Sequence, residues 1–92
     1  MSYIIRTSSA GLIYVLGSKV IKIGKPNSID GCKTLGKSLL INADQIVFLG
    51  FNMEHHVTFF MTNGFEISLQ IPFAEAEEAF NCAKGNIEKI IR

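Results

Sequence analysis

The chain has 92 residues, of which 48% are apolar and 18% charged, and this composition predicts a single folded domain over residues 1–92. A disordered chain is excluded, and no apolar run approaches the roughly 18 to 20 residues needed to span a bilayer. The net charge is +1, with six basic against two acidic residues in the first 45 positions and three against six in the rest. That asymmetry would draw an acidic partner towards the N-terminal half.

Short β-rich runs fill much of the N-terminal half. We expect strands at Tyr3–Ile5, Leu12–Leu16 and Lys19–Ile23. The dipeptide Gly17-Ser18 suits a two-residue turn, so the second and third of these strands are predicted to form a hairpin. Glycines, a proline and short polar residues between Gly24 and Lys37 predict a loop of about fourteen residues, a length that is often functional. Extended structure resumes at residues 38–42.

The strongest local signal is a β-hairpin in the C-terminal half. Three β-rich runs lie there, at Ile46–Phe51, Val57–Thr62 and Phe65–Ile71. The last two are joined by Asn63-Gly64, a dipeptide that tolerates the positive φ angles of a type I′ turn. Apolar and polar residues alternate in the last run, which predicts a strand with one buried face formed by Phe65, Ile67, Leu69 and Ile71.

After Pro72 the apolar residues recur at helical spacing. Steps of three and four give one stripe over about five turns, formed by Phe73, Ala76, Phe80, Ala83, Ile87 and Ile90. Gly85 could break or kink this helix. We therefore predict an α+β fold, a mostly antiparallel sheet of five to seven strands with a C-terminal amphipathic helix packed on one face, where the stripe meets the buried face of the last strand.

Two neighbouring phenylalanines predict an uncovered surface. Phe59 and Phe60 point to opposite faces of their strand, and we expect Phe60 and Phe51 to lie on the face away from the helix. A small chain that is 48% apolar leaves some apolar surface exposed, and an open sheet has unpaired edges. We therefore expect a non-enzymatic interaction or regulatory domain that binds a protein partner and self-associates through the uncovered face or edge, with a two-fold dimer as the commonest arrangement.

Basic residues of the N-terminal half support an alternative function. Lysines and exposed aromatic residues together are typical of proteins that bind single-stranded nucleic acid, so the alternative is a small DNA- or RNA-binding regulator. Four lysines are candidate partner-binding residues beside the two phenylalanines: Lys19, Lys22, Lys33 and Lys37. Tyr3, Tyr14 and Lys25 complete a set that would line one side of the N-terminal strands.

No group of residues predicts catalysis, a metal site or a cofactor. The adjacent histidines His55 and His56 lack a metal-ligand spacing and point to opposite faces unless the chain turns between them. Cys32 lies beside Lys33, which would lower the pKa of its thiol, but no acid–base partner accompanies it. Residues 31–38 satisfy the literal pattern GxxxxGK[ST] without the preceding parallel strand and following helix of a phosphate-binding loop, so contact with phosphate is left open.

The two cysteines, Cys32 and Cys82, lie fifty positions apart without a metal-type spacing. We expect them to be reduced thiols in a cytoplasmic protein. The first residues carry no basic segment followed by a long apolar one, so a signal peptide is not expected.

Residues 39–84 resemble a family pattern. The pattern consists of the segment LINADQIVFL at residues 40–49, the strand at residues 56–62, Asn63-Gly64 and a glutamate-rich helix. It is similar to the small FlbD-like flagellar proteins and to the first half of LytTR-type DNA-binding domains. Both use an N-x-D-x-I strand entry, here Asn42, Asp44 and Ile46, followed by a β-hairpin and a helix. The LytTR resemblance implies DNA binding, but no residue matches the basic contact segment of those domains, so no contact residue is transferred. The FlbD resemblance implies no particular activity.

Overall fold

The computed structural model describes residues 3–17, 20–25 and 38–92. Over these ranges the chain forms eight strands, a short 3-10 turn at Ala43–Gln45 and one α-helix. The strands are β1 (Ile4–Thr7), β2 (Leu12–Leu16), β3 (Val20–Gly24), β4 (Leu39–Asn42), β5 (Ile46–Phe51), β6 (Val57–Met61), β7 (Glu66–Leu69) and β8 (Lys89–Ile90). The helix, α1, spans Phe73–Lys84. None of the described helical segments has the length and apolarity needed to cross a membrane.

The strands form two four-stranded antiparallel sheets. Sheet 1 has the order β4-β2-β1-β8, and sheet 2 has the order β3-β7-β6-β5. The predicted α+β class with an antiparallel arrangement and a C-terminal helix is therefore confirmed, although the strands are more numerous than expected and divide into two sheets. The predicted hairpin at Gly17-Ser18 is wrong, because β2 lies between β1 and β4 while β3 pairs with β7. That pairing sets Ile23 opposite the buried Ile67, so β3 gains apolar contact in sheet 2.

The predicted β6–β7 hairpin is present, but its turn is of a different type. The Gly64 N–H donates to the Met61 carbonyl and the Met61 N–H to the Phe65 carbonyl, at 3.1 and 2.9 Å. Gly64 alone in this turn has a positive φ, +85°, whereas a type I′ turn needs two such residues. This is the three-residue loop in which a glycine bulge follows a type I turn. Phe65 consequently precedes β7 and is exposed, so its predicted burial is wrong.

Both sheets and the helix contribute to one core. Its buried apolar residues are Ile5, Ile13, Val15, Ile41, Ala43, Ile46, Val57, Phe59, Ile67, Leu69, Ile71, Ala76, Ala79 and Ala83. The helix buries alanines at positions 76, 79 and 83, and such small side chains allow its backbone to lie close to the strands. Phe80 is half-buried at the border of the core, with its ring centroid 6.5 Å from that of Phe59.

The helix ends earlier than the apolar stripe predicts. Asn86 has φ +58°, its N–H donates to the Ala83 carbonyl, and the Ile87 N–H donates to the Cys82 carbonyl at 2.8 Å. These two bonds form a Schellman motif, which terminates the helix with Gly85 as its C-cap. Ile87 and Ile90 therefore lie outside the helix and are exposed, and their assignment to the stripe is wrong.

Candidate interaction surface

Strand β5 forms one edge of sheet 2 and carries no charged residue. Its sequence is IVFLGF, and its only strand neighbour in the described part of the chain is β6. Val47, Phe48 and Phe51 are 58%, 53% and 54% exposed. An apolar edge strand with unpaired backbone groups is a template for pairing with another strand. The opposite edge of the same sheet, β3, has Lys22 at its centre, and charge on an edge strand opposes such pairing.

The backbone pattern identifies which residues of β5 face the open edge. The Asn52 N–H donates to the His56 carbonyl at 3.0 Å, at the end of the β5–β6 ladder. The N–H and C=O groups of successive residues point alternately to the two sides of a strand. Gly50 and Phe48, which lie two and four residues before Asn52, therefore also direct their N–H and C=O groups to β6. Leu49 and Phe51 then direct their N–H and C=O groups away from β6, towards the open edge.

An aromatic pair covers the outer face of sheet 2 beside this edge. Phe48 lies opposite Phe60 on β6, and their rings are stacked with centroids 4.4 Å apart. A Cβ added at Gly50 would lie 3.6 Å from the Phe60 ring and 3.8 Å from the Phe48 ring. The two rings therefore border the space that a side chain at Gly50 would occupy. Phe60 was predicted to face away from the helix, and it does so.

Phe51, by contrast, does not lie on that face. Its ring stacks on the ring of Phe73, the first residue of α1, with centroids 5.2 Å apart. Directly paired residues of an antiparallel ladder share a face, and Phe51 pairs with the buried Val57. The expectation that Phe51 points away from the helix is therefore wrong, although its ring remains half exposed at the same edge.

The β5–β6 connection is fixed by one asparagine. Asn52 Oδ1 accepts hydrogen bonds from the N–H groups of Glu54 and His56, both at 2.9 Å, around His55 with its positive φ of 65°. Asn52 Nδ2 donates to the Ser68 hydroxyl at 3.1 Å. This side chain therefore holds the loop against the outer face of sheet 2.

Beneath that loop, the outer face contains a buried chain of hydroxyl groups. Thr58 and Ser68 are fully buried, and their oxygen atoms lie 3.0 Å apart. The single hydroxyl proton of Thr58 is donated to the His56 carbonyl at 2.8 Å, so Ser68 donates to Thr58 and accepts from Asn52. Each buried hydroxyl is thus satisfied, as the burial of polar groups requires.

One predicted lysine of the candidate set can be placed. Lys22 on β3 donates to Glu54 Oε1 at 2.5 Å, across the outer face from the β5–β6 loop. The pKa of the Glu54 carboxyl lies below its ordinary value of 4.5, because Lys22 hydrogen-bonds to it and adds a favourable charge interaction. The other three, Lys19, Lys33 and Lys37, lie outside the described residues, as do residues 31–37 of the GxxxxGK[ST] segment.

The remaining residues of the predicted basic surface do not share one side of a sheet. Lys25 follows β3 in sheet 2, with its Nζ atom 5.8 Å from the Phe65 ring centroid. The Tyr3 hydroxyl donates to Glu75 of the helix at 2.6 Å. Its pKa lies above the ordinary value, mainly because the hydroxyl is partly desolvated and also because of this hydrogen bond. Tyr14 lies on sheet 1, so the expectation of a single basic and aromatic face on the N-terminal strands is wrong.

Sheet 1 has a second exposed surface on its outer face. A row of paired residues crosses all four strands, formed by Leu40, Tyr14, Arg6 and Ile90. The guanidinium of Arg6 lies over the Tyr14 ring, 4.8 Å from its centroid. A cleft of about 390 Å³ adjoins these two residues, with Ser8 and Lys89 also in its lining.

The described residues hold no group of three or more histidine, cysteine or acidic side chains that could bind a metal ion. The neighbouring histidines border an open cleft of about 370 Å³ with Gln70 and Pro72. His56 Nδ1 is buried there and has no hydrogen-bond partner among the described residues.

The sequence prediction omitted Phe48 from the candidate surface. The signal that could have identified it is the run Ile46–Phe51 itself, five apolar residues and a glycine without a charge or a proline. Over residues 3–17, 20–25 and 38–92, the fold and this surface define a small α+β domain with an uncovered apolar edge. No known protein-family model, curated protein sequence or solved structure matches the chain.

Proposed function

We propose that this chain is a protein-interaction domain that binds by pairing a strand to the open edge of β5, and that it self-associates through this edge. The observation that carries the proposal is the apolar, uncharged β5, with three side chains more than half exposed. Strand addition at a sheet edge is a common mode of recognition, in which backbone hydrogen bonds supply affinity and side chains supply selectivity.

The chemistry of the edge favours a protein partner. Natural proteins protect an edge strand with charges, proline or a bulge. The only such protection on β5 is an irregularity in the pairing between Ile46 and Phe48. The stretch from Phe48 to Phe51 pairs with β6 in regular register. Leu49 and Phe51 therefore offer ordered donors and acceptors beside apolar side chains, the arrangement that an added strand satisfies.

Light scattering over a hundredfold dilution series from micromolar concentrations tests the proposal. We expect the wild-type chain to have about twice the monomer mass of 10.2 kDa at high concentration. Phe48→Lys places a charge on the edge strand and should yield the monomer throughout. The matched control is Met53→Lys, because Met53 is apolar and 98% exposed but lies after β5, outside the strand.

Two results would overturn self-association at this edge. One is a wild-type mass of 10.2 kDa at every concentration. The other is a dimer that Phe48→Lys and Met53→Lys weaken equally, since exposed apolar area in general, and not the strand edge, would then drive association.

The alternative function is that of a small DNA- or RNA-binding regulator, in line with the LytTR resemblance. The observation that favours it is the exposed Arg6 over Tyr14, beside a cleft that also holds Glu88 and Lys89, the latter paired with Glu78. A guanidinium and an aromatic ring together suit a phosphate and a stacked base. Titration of a fluorescent single-stranded oligonucleotide at two salt concentrations tests it. Affinity that falls steeply with salt and is lost in Arg6→Ala supports this function, and absence of binding at low salt excludes it.

A further inference from the structure

We infer that the strand paired to β5 is β5 of a second copy, in antiparallel register about a two-fold axis beside Leu49. This inference rests on the proposed function and specifies its geometry. The two sheets numbered 2 would join into one continuous eight-stranded sheet, with the helices of both copies on the same side.

Symmetry restricts the possible registers to a few. A two-fold axis that makes neighbouring strands antiparallel stands perpendicular to the sheet, so it keeps each residue on its own face. Directly opposed residues share a face, and side chains alternate along the strand. The axis must therefore pass beside a residue and not between two residues. The regular part of β5 is Phe48–Phe51, and an axis beside Phe51 would set Phe48 against Glu54, which lies after the strand. The remaining candidates are Phe48, Leu49 and Gly50.

The side chains distinguish between these three candidates. With the axis beside Leu49, each Phe48 lies opposite the partner's Gly50, which has no side chain of its own and is bordered by the Phe48 and Phe60 rings of its own copy. The two Phe48 rings then become diagonal neighbours, within reach of aromatic contact. The axis beside Gly50 would oppose two glycines and set Phe48 against Asn52, whose side chain is already committed to Ser68 and the loop. The axis beside Phe48 would leave the exposed Phe51 without an opposite residue on the strand.

The backbone agrees with the Leu49 register. Leu49 directs both its N–H and its C=O to the open edge, so Leu49 and its symmetry mate would exchange two hydrogen bonds. The half-exposed Phe51 would lie at each end of the pairing, opposite Val47 at the irregular start of β5. This register therefore brings both exposed phenylalanines of β5 into the interface.

Disulfide trapping tests the register. Four variants are made, each with a single cysteine at position 48, 49, 50 or 51. Their common background has Cys32 and Cys82 replaced by serine, and each variant is oxidised with glutathione disulfide. A hydrogen-bonded pair has Cα atoms about 5.5 Å apart, within the range of about 4.4 to 6.8 Å that a disulfide needs. The two copies of residue 51 would be displaced by four residues along the strand, roughly 13 Å, and cannot be bridged.

We expect Leu49→Cys to form a covalent dimer at least about ten times faster than Phe51→Cys, with circular dichroism confirming that each variant is folded. Fastest trapping at position 48 or 50 would overturn the register while leaving self-association at β5 intact. A wild-type dimer that none of the four cysteines traps would overturn the β5 edge as the interface. A wild-type monomer at all concentrations would overturn self-association itself, and this inference with it.

Discussion

Truncation of Phe59 tests which face of β6 is the core face. The side chain is fully buried, and the residue pairs with Leu49 on one side and with Ile67 on the other. Phe→Ala at such a site removes both the transfer free energy of the ring and the packing around it, which costs roughly 3 to 5 kcal/mol. A chain of this length has a free energy of unfolding of about 5 to 14 kcal/mol, so Phe59→Ala should remove about a fifth of it or more.

The next residue supplies the matched control. Phe60 is half-buried on the outer face, where its ring stacks on that of Phe48 with centroids 4.4 Å apart. An aromatic pair contributes about 0.5 to 1.5 kcal/mol beyond area burial, so Phe60→Ala should cost about 1 to 2 kcal/mol. The two substitutions are identical in chemistry and adjacent in sequence, so they differ only in the face of the strand that they alter.

The assay is urea unfolding followed by circular dichroism for both variants and the wild type. Measurement at two protein concentrations separates the contribution of self-association, because only that contribution depends on concentration. Equal costs for Phe59→Ala and Phe60→Ala would refute the face assignment. So would a smaller cost for Phe59→Ala.

Three further changes probe the loop, the turn and the buried hydroxyls. Ser68→Ala should cost about 1 to 3 kcal/mol in urea unfolding, because Asn52 Nδ2 then has no acceptor beneath the loop; a cost near zero would mean that water replaces the hydroxyl. Gly64→Ala should lower the free energy of unfolding by about 1 to 2 kcal/mol, and Gly64→Asn should lower it clearly less. Nothing lies within 4 Å of the added Cβ, so only the positive φ opposes a side chain, and asparagine tolerates that φ better than alanine. Equal losses for the two variants would indicate a steric cause. Glu54→Gln should reduce stability near pH 6 but not well below pH 4.5. The folded-state pKa of Glu54 is depressed, so the unfolded chain binds more protons and the benefit is lost as the pH falls through the folded-state value; an unchanged difference across that range would contradict the Lys22 contact.

Local signals in the sequence predicted the elements better than their arrangement. The Asn63-Gly64 hairpin and the helix after Pro72 are present, because turn chemistry and helical periodicity act over a few residues. The type of the turn was not predictable, since a glycine in the left-handed region serves both a type I′ turn and a glycine bulge. The assignment of β3 to sheet 2 depends on contacts with β7, more than forty residues away, which no local pattern encodes.

The core and the candidate surface were missed in part for a related reason. The predicted helical stripe omitted Ala79, which is buried, and included Phe80, which lies at the border of the core. Phe60 was placed on the outer face by simple alternation. Phe51 was placed there as well, which is wrong, because its side depends on its register with Val57 across the strand pair. Tertiary pairing therefore decides which aromatic residues form the surface.

The attachment of β8 to β1 has a consequence for the order of folding. The Thr7 hydroxyl donates to the Ile87 carbonyl at 2.6 Å across 80 positions of sequence, and β8 itself has only two paired residues, both exposed. Closing a loop of that length costs about 4 kcal/mol in chain entropy, which such a short strand cannot offset alone. We expect β8 to join only after the helix is docked, and to open first under native conditions, so its amides should exchange with solvent deuterium long before those of β6. Each opening briefly turns β1 from an inner strand into an edge.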